Sequence, residues 1–227
     1  MTCSLSSLAA ADHEPISLDW QSPSSTSDDV CSGYYLPYQP STLDHNLNQD
    51  EQPLYSHSDA SEYDQGITHF KGNVEFRQGT RQITGDSARF DTNGGYVDII
   101  GHVTMRRPNM IIQSQTASFN NNKAEAQLNQ AQLAVPDSEL RATAQSIDYR
   151  NDDTVTMNEG SFTFCAPGDN TWAIHSNRID IDPNSGMGEA QHAILKLGVV
   201  PVFYLPWMSF PIDDKRRSGF LFPTLES

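Results

Sequence analysis

From Phe70 to Ile181, apolar and polar side chains alternate in one short series after another. Val74 and Phe76 alternate with polar neighbours, as do Val97 and Ile99, Val103 and Met105, Met110 and Ile112, and Ala117 and Phe119. The pattern continues through Ala124, Ala126 and Leu128, then Ala131, Leu133 and Val135, and returns at Leu140, Val155, Phe162 and Ile179. A period of two places every second side chain on one face of an extended strand. Turn-forming residues cut each series, among them Asn93-Gly94-Gly95, Pro108-Asn109, Asn120-Asn121-Asn122 and Asn151-Asp152-Asp153. No stretch carries a helical period. The chain is therefore expected to be all-β, built from many strands that each bury one face.

The series also repeat. Phe70-Lys71-Gly72-Asn73-Val74 is echoed by Ile99-Ile100-Gly101-His102-Val103, and Asp86-Ser87-Ala88-Arg89-Phe90 by Gln115-Thr116-Ala117-Ser118-Phe119. Fainter echoes follow at Gln145–Tyr149 and Asn177–Ile181, so the step is roughly 30 residues, in the range of stacked repeats. One such unit cannot bury its apolar face alone, and stacked units share a long core. An elongated, curved β-structure with an apolar interior is expected over residues 66–198. Residues 1–65, rich in Ser, Asp, Pro, Gln and Asn, read as a leader that is largely disordered. Within it, Cys31-Ser32-Gly33-Tyr34-Tyr35-Leu36-Pro37-Tyr38 is dense in aromatics and suited to docking. The first residues, Met1–Ala11, lack a basic start and a full apolar run. They read either as the end of a secretion signal or as an Ala/Ser-rich terminus.

Formal net charge is -15, which repels nucleic acid and excludes it as a partner. An anionic lipid would have to be held through its apolar part. Cys3, Cys31 and Cys165 have no metal-binding spacing; Cys31 and Cys165 sit in settings read as exposed, where pairing in an oxidising compartment is favoured. The seven histidines are scattered, and neither a metal nor a cofactor is expected. The interior positions are rich in Ala and Met. Two readings follow: a groove that adapts to a flexible apolar ligand, or a narrow core that needs small residues. Asp148, Asp180 and Asp182 are of the residue type used by polysaccharide-cleaving enzymes, but they adjoin turns, where Asp commonly caps the backbone.

The most specific stretch is Leu197–Pro223, LGVVPVFYLPWMSFPIDDKRRSGFLFP. It resembles the segment that joins the periplasmic domain to the membrane barrel in the lipopolysaccharide-assembly proteins of the LptD family. The upstream part, with Gly72-Asn73-Val74, Gly85-Asp86-Ser87-Ala88, Gly160–Gly168 and Trp172, is similar to the OstA-like domain of that family. The resemblance covers about residues 31–225. Residues 199–227 are accordingly expected to form the junction. Their rings, Phe203, Tyr204, Trp207 and Phe210, suit a membrane interface. Pro201, Pro206 and Pro211 are expected to weaken strand pairing nearby, and Lys215, Arg216 and Arg217 to meet phosphates at the bilayer edge. An ordinary loop with a solvated charge run is the alternative.

The resemblance implies an elongated β-jellyroll at the periplasmic face of the outer membrane, without covalent chemistry. Its interior would receive the acyl chains of lipopolysaccharide from a periplasmic bridge of similar jellyrolls and pass them to a barrel. Carried onto this chain, the path would be lined by Val74, Phe76, Phe90, Val103, Met105, Met110, Ile112, Phe119, Leu133 and Tyr149. The parent's barrel would be partnered by a plug lipoprotein. Cys31 and Cys165 match the two upstream cysteines that, in the family, pair with cysteines near the end of the barrel; without those partners both are expected free or mispaired. A stand-alone bridge or a structural repeat protein would share the fold but has no need of the junction after Gly198.

Overall fold

The structure, a computed structural model, describes residues 20–21, 34–36, 47–108, 110–120, 122–136, 139–150, 154–169, 171–182 and 184–211. A two-stranded ribbon, β1 (Trp20–Gln21) and β2 (Tyr34–Tyr35), precedes one long antiparallel sheet. The sheet opens with β3 (Leu54–His57), β4 (Ala60–Asp64), β5 (Ile67–Gln78), β6 (Arg81–Asp91), β7 (Tyr96–Arg107) and β8 (Met110–Asn120). It continues with β9 (Glu125–Val135), β10 (Leu140–Tyr149), β11 (Val155–Thr163), β12 (Trp172–Asp182), β13 (Met187–Leu197) and β14 (Val200–Pro211). From β5 onward each strand pairs with the next in sequence, and β3 and β4 both lie against β5. The all-β expectation holds.

Each long strand is creased near its middle. Between β5 and β6 the register jumps across Lys71/Val74, between β6 and β7 across Thr84/Ser87, and between β7 and β8 across Ile100/Val103. In alternate strands the crease falls on a residue in the left-handed region: Asn73 (φ 46), His102 (φ 44), Gln130 (φ 50), Glu159 (φ 47) and His192 (φ 54). An extra residue of this kind bends a strand and resets which side chains face inward. That is why inward positions run Met110, Ile112 and then Ala117, Phe119, and why Leu128 is followed by Ala131. The bend is sharp. Phe70 and Phe76 lie on one strand, where six extended residues span roughly 20 Å, yet their rings meet edge to face at 5.2 Å.

The creases divide the sheet into two facing arms that share one core. Val74, Ile99, Val103, Ala117, Ala131, Met157, Ile179 and Ala190 are all buried in it. Small residues occur at the tightest points: Ala117 and Ala190 have no exposed surface. At the crease of β7, Gly101 has φ +80, and a Cβ there would collide with the Asp86 carboxylate, which accepts from or pairs with His102 Nδ1 at 2.8 Å. Gly101→Val would force a β-branched residue into a conformation it avoids and displace Asp86. It is expected to lower stability by about 2–3 kcal/mol in urea unfolding; an unchanged midpoint would contradict this account of the crease.

The sheet passes both boundaries expected from the sequence. It begins at Leu54, inside the stretch read as leader, because β3 and β4 cover the outer edge of β5. It also takes in Val200–Pro211, the start of the expected junction. The prolines do not prevent pairing. Pro201 and Pro211 stand opposite Lys196 and Met187, and Pro206 falls in the gap opposite His192. β14 is the last strand of the described sheet, and at an edge a missing N–H need not break the ladder. Ala124, expected inward, is instead an exposed turn residue with φ 53 just before β9.

Of the aromatic-dense part of the leader, residues 34–36 are described, and of these Tyr35 is buried against the sheet. Tyr35 is 4% exposed and packs with Ile111, Ala134 and Trp20, the rings of Tyr35 and Trp20 lying 4.9 Å apart. Burial pushes the Tyr35 phenol up to about 12, against the pull of the nearby Arg141 charge. Arg141 is itself buried and donates to the carbonyls of Cys165 (2.6 Å) and Asp169 (3.0 Å). Cys165 is not in an exposed setting: it is 1% exposed, and it is disulfide-bonded rather than free. The other cysteines, Cys3 and Cys31, lie outside the described residues.

Candidate functional site: an apolar trough with a basic rim

Between the arms, at the end of the sheet formed by β3 and β5–β8, lies an open cavity of about 480 Å³. Its walls come from both sides of the crease. Ile83 and Met105 pair across one arm, while Phe90, Val97 and Phe119 form a continuous row across the other. Phe70, Phe76, Ile99 and Leu54 complete the apolar lining. A volume of this size lies within the range of ordinary ligand pockets, roughly 300–1,000 Å³. Farther along, the arms close on each other: Phe162 of β11 and Phe210 of β14 lie with ring centroids 5.5 Å apart.

Of the residues expected to line a path, Phe76, Phe90, Met105 and Phe119 line this cavity. Val74 and Val103 instead sit beside the creases, each 1% exposed, and hold the arms together. Ile112 on β8 and Leu133 on β9 are buried in the core and do not line the cavity, with Met110 partly buried against the same core. Tyr149 is partly buried at the end of β10. The structure adds Leu54, Phe70, Ile83, Val97 and Ile99 to the lining. Leu54 had no signal in the sequence, standing alone in a polar stretch; the others lay in the alternating series.

The rim is basic in a chain that has 14 Lys and Arg against 29 Asp and Glu. Arg77, Arg81 and Arg107 all border the cavity. Gln82 pairs with Arg106 and Arg107 with Met110, which brings Arg81 and Arg107 to the same end of this arm. Desolvation by the apolar wall and the like charge of Arg81 lower the Arg107 guanidinium from its ordinary value. Arg77 lies over the Tyr55 ring at 5.4 Å, and its Nε is buried with no acceptor among the described residues. Arg216 and Arg217, the basic residues singled out from the sequence, lie outside the described residues, as does Lys215.

The three aspartates of the rival reading are occupied structurally. Asp180 accepts from Arg178 at 2.7 and 2.8 Å and from Thr156 at 2.7 Å. Partial burial pushes its carboxyl up, but these hydrogen bonds and the Arg178 charge outweigh that and leave it below the usual value. Asp148 accepts from Gln127 and Asn158, and Asp182 caps the turn at Asn184.

Residues 55–187 match the family described as LptA/(LptD N-terminal domain) LPS transport protein. The chain belongs to this family. The LPS-assembly protein LptD of Saccharophagus degradans is 35% identical over 156 residues, 69% of this chain and 18% of that protein. Its counterpart in Alcanivorax borkumensis is 34% identical over 198 residues, 87% of this chain and 25% of that protein. That of Hahella chejuensis is 31% identical over 232 residues, 95% of this chain and 29% of that protein. This member of the LptD N-terminal family thus spans well under a third of the length of these relatives. The solved structure of LptH, the LptA-homologous periplasmic component of the lipopolysaccharide transport device of Pseudomonas aeruginosa, is 21% identical. It aligns with a TM-score of 0.42 over 48% of this chain and 85% of that one.

Proposed function

We propose that this domain carries lipopolysaccharide during its transport to the outer membrane, holding the acyl chains in the trough between its two arms. The observation that carries this reading is the open cavity walled by apolar side chains from both arms, Ile83 and Met105 facing Phe90, Val97 and Phe119. Each buried methylene contributes roughly 0.8 kcal/mol, so several alkyl segments together hold the lipid out of water. The contact is non-directional, so a chain can shift along the wall at little cost. No bond is made or broken, and the protein acts as a carrier rather than an enzyme.

In the parent protein the domain stands at the periplasmic face of the outer membrane. It receives lipid from a bridge of similar folds and delivers it to a barrel that a plug lipoprotein partners. This chain's match to the LPS transport family and the greater length of its relatives, which are LPS-assembly proteins by name, support this placement. So do the apolar side chains that β14 leaves exposed, Val202, Phe203 and Trp207. Cys31 and Cys165 belong to the same reading: in the parent protein each would pair with a cysteine near the end of the barrel, in place of the bond that Cys165 makes here.

Photo-crosslinking amino acids at Phe76, Met105 and Phe119 are expected to label lipopolysaccharide, whereas one at Lys123, exposed in the β8–β9 turn, is not. Equal labelling at all four positions would defeat the interior path.

A further inference from the structure

Two rows of side chains run the length of the sheet, one on each arm, as unbroken chains of ladder partners. The first passes from Phe76 through Met105, Leu133 and Phe162 to Leu195 and Phe203. The second passes from Phe90 through Phe119, Tyr149 and Ile181 to Gly188 and Phe210. The near ends of both rows wall the cavity, and the far ends reach β14, where Phe203 is 57% exposed. Tyr149 carries the one polar side-chain group in either row, so polarity does not tell an alkyl chain where to stop.

A contact between the arms does. Phe162 of the first row meets Phe210 of the second, ring centroids 5.5 Å apart and planes tilted by 33°. The Phe210 ring is seated over its ladder partner Gly188, where a Cβ would come within 2.5 Å of Phe210 Cζ. Gly188 is buried, and its backbone is not among those in the left-handed region. The local conformation therefore does not require glycine there; the ring occupies the space that glycine leaves. The two rings are held unequally. Phe162 is buried on β11, which is paired along both edges, whereas Phe210 is half-buried on β14, the last strand of the described sheet.

We propose that Phe210 is the bar that ends the lipid path within this domain. Its ring, set against Phe162, keeps alkyl chains in the trough, and its displacement from the Gly188 notch opens the way to the apolar side chains of β13 and β14. The assignment rests on the trough reading and adds a stopping point to it.

The test places a photo-crosslinking amino acid in the full chain at Met105, in the cavity wall, or at Leu195, two strands beyond Phe162 on the same row. Each is exposed to lipopolysaccharide in the wild type, in F210A, which removes the ring, and in G188A, which pushes it out of its seat. Met105 is expected to be labelled equally in all three. Labelling at Leu195 is expected to be weak in the wild type and to rise roughly two- to tenfold in both variants, the shift that loss of one aromatic pair produces. If Leu195 is labelled as strongly as Met105 in the wild type, or stays unlabelled in both variants, the bar is wrong and the trough stands. If Met105 is not labelled in the wild type, the trough reading falls and the bar with it. A rise at Leu195 accompanied by loss of labelling at Met105 would mean that the whole fold has loosened, and would overturn the assignment to Phe210.

Discussion

Phe119→Asp is expected to weaken lipid capture by about a hundredfold or more, while Phe119→Leu keeps most of it. Phe119 is the contribution of β8 to the cavity wall, directly across the ladder from Val97. In the lipid-free protein the trough is open, so a carboxylate there remains in contact with water. Arrival of an alkyl chain removes that water, and a polar group buried without a partner costs roughly 3 kcal/mol or more. The penalty therefore falls on binding, and folding is perturbed much less. Leucine loses area but adds no charge. The measurement is labelling of lipopolysaccharide through a crosslinker at Met105 in each background, and undiminished labelling in Phe119→Asp would show that lipid does not pass this wall.

Ile99→Ala is expected to have the largest effect on stability, about 2–4 kcal/mol by urea unfolding. Ile99 is 1% exposed, lies next to the crease of β7 and belongs to the core shared by the two arms. It also fills the space above Gly85, where a Cβ would come within 2.5 Å of its Cγ2. Truncation removes contacts to both arms at once, and the gap opens onto an existing cavity without collapsing. A loss below about 1 kcal/mol, the size expected of a surface change, would mean the arms do not depend on a common core.

Much of this architecture is visible in the residues themselves. Alternation fixes the strands, and the places where it skips, between Ile112 and Ala117 or between Leu128 and Ala131, are the creases seen in the fold. The skips read naturally as the ends of short strands, yet the backbone runs through them as single elements such as Met110–Asn120 and Glu125–Val135. A period-two pattern does not distinguish a turn from a bend, because both reset the phase. Ala124 was misplaced for the same reason: its spacing from Ala126 fits a strand, but its left-handed backbone belongs to the turn.

The trough was legible only in part. Phe76, Phe90, Met105 and Phe119 carry the alternation and do face it, but Val74 and Val103 carry it equally and are consumed by packing at the crease. Which inward residues meet a ligand depends on how far apart the arms stand at each rung, and spacing along the chain does not encode that. The basic rim had no local signal at all. Arg81 and Arg107 are separated by a whole hairpin, and antiparallel register alone brings them together.

The left-handed residues Asn73, His102, Gln130, Glu159 and His192 recur at the middle of every second strand and so follow one line across the sheet. Bending is thereby concentrated on a single line, and the ladder on either side of it stays regular, so the angle between the arms is set at one residue per strand in every second strand and not by curvature spread along each of them.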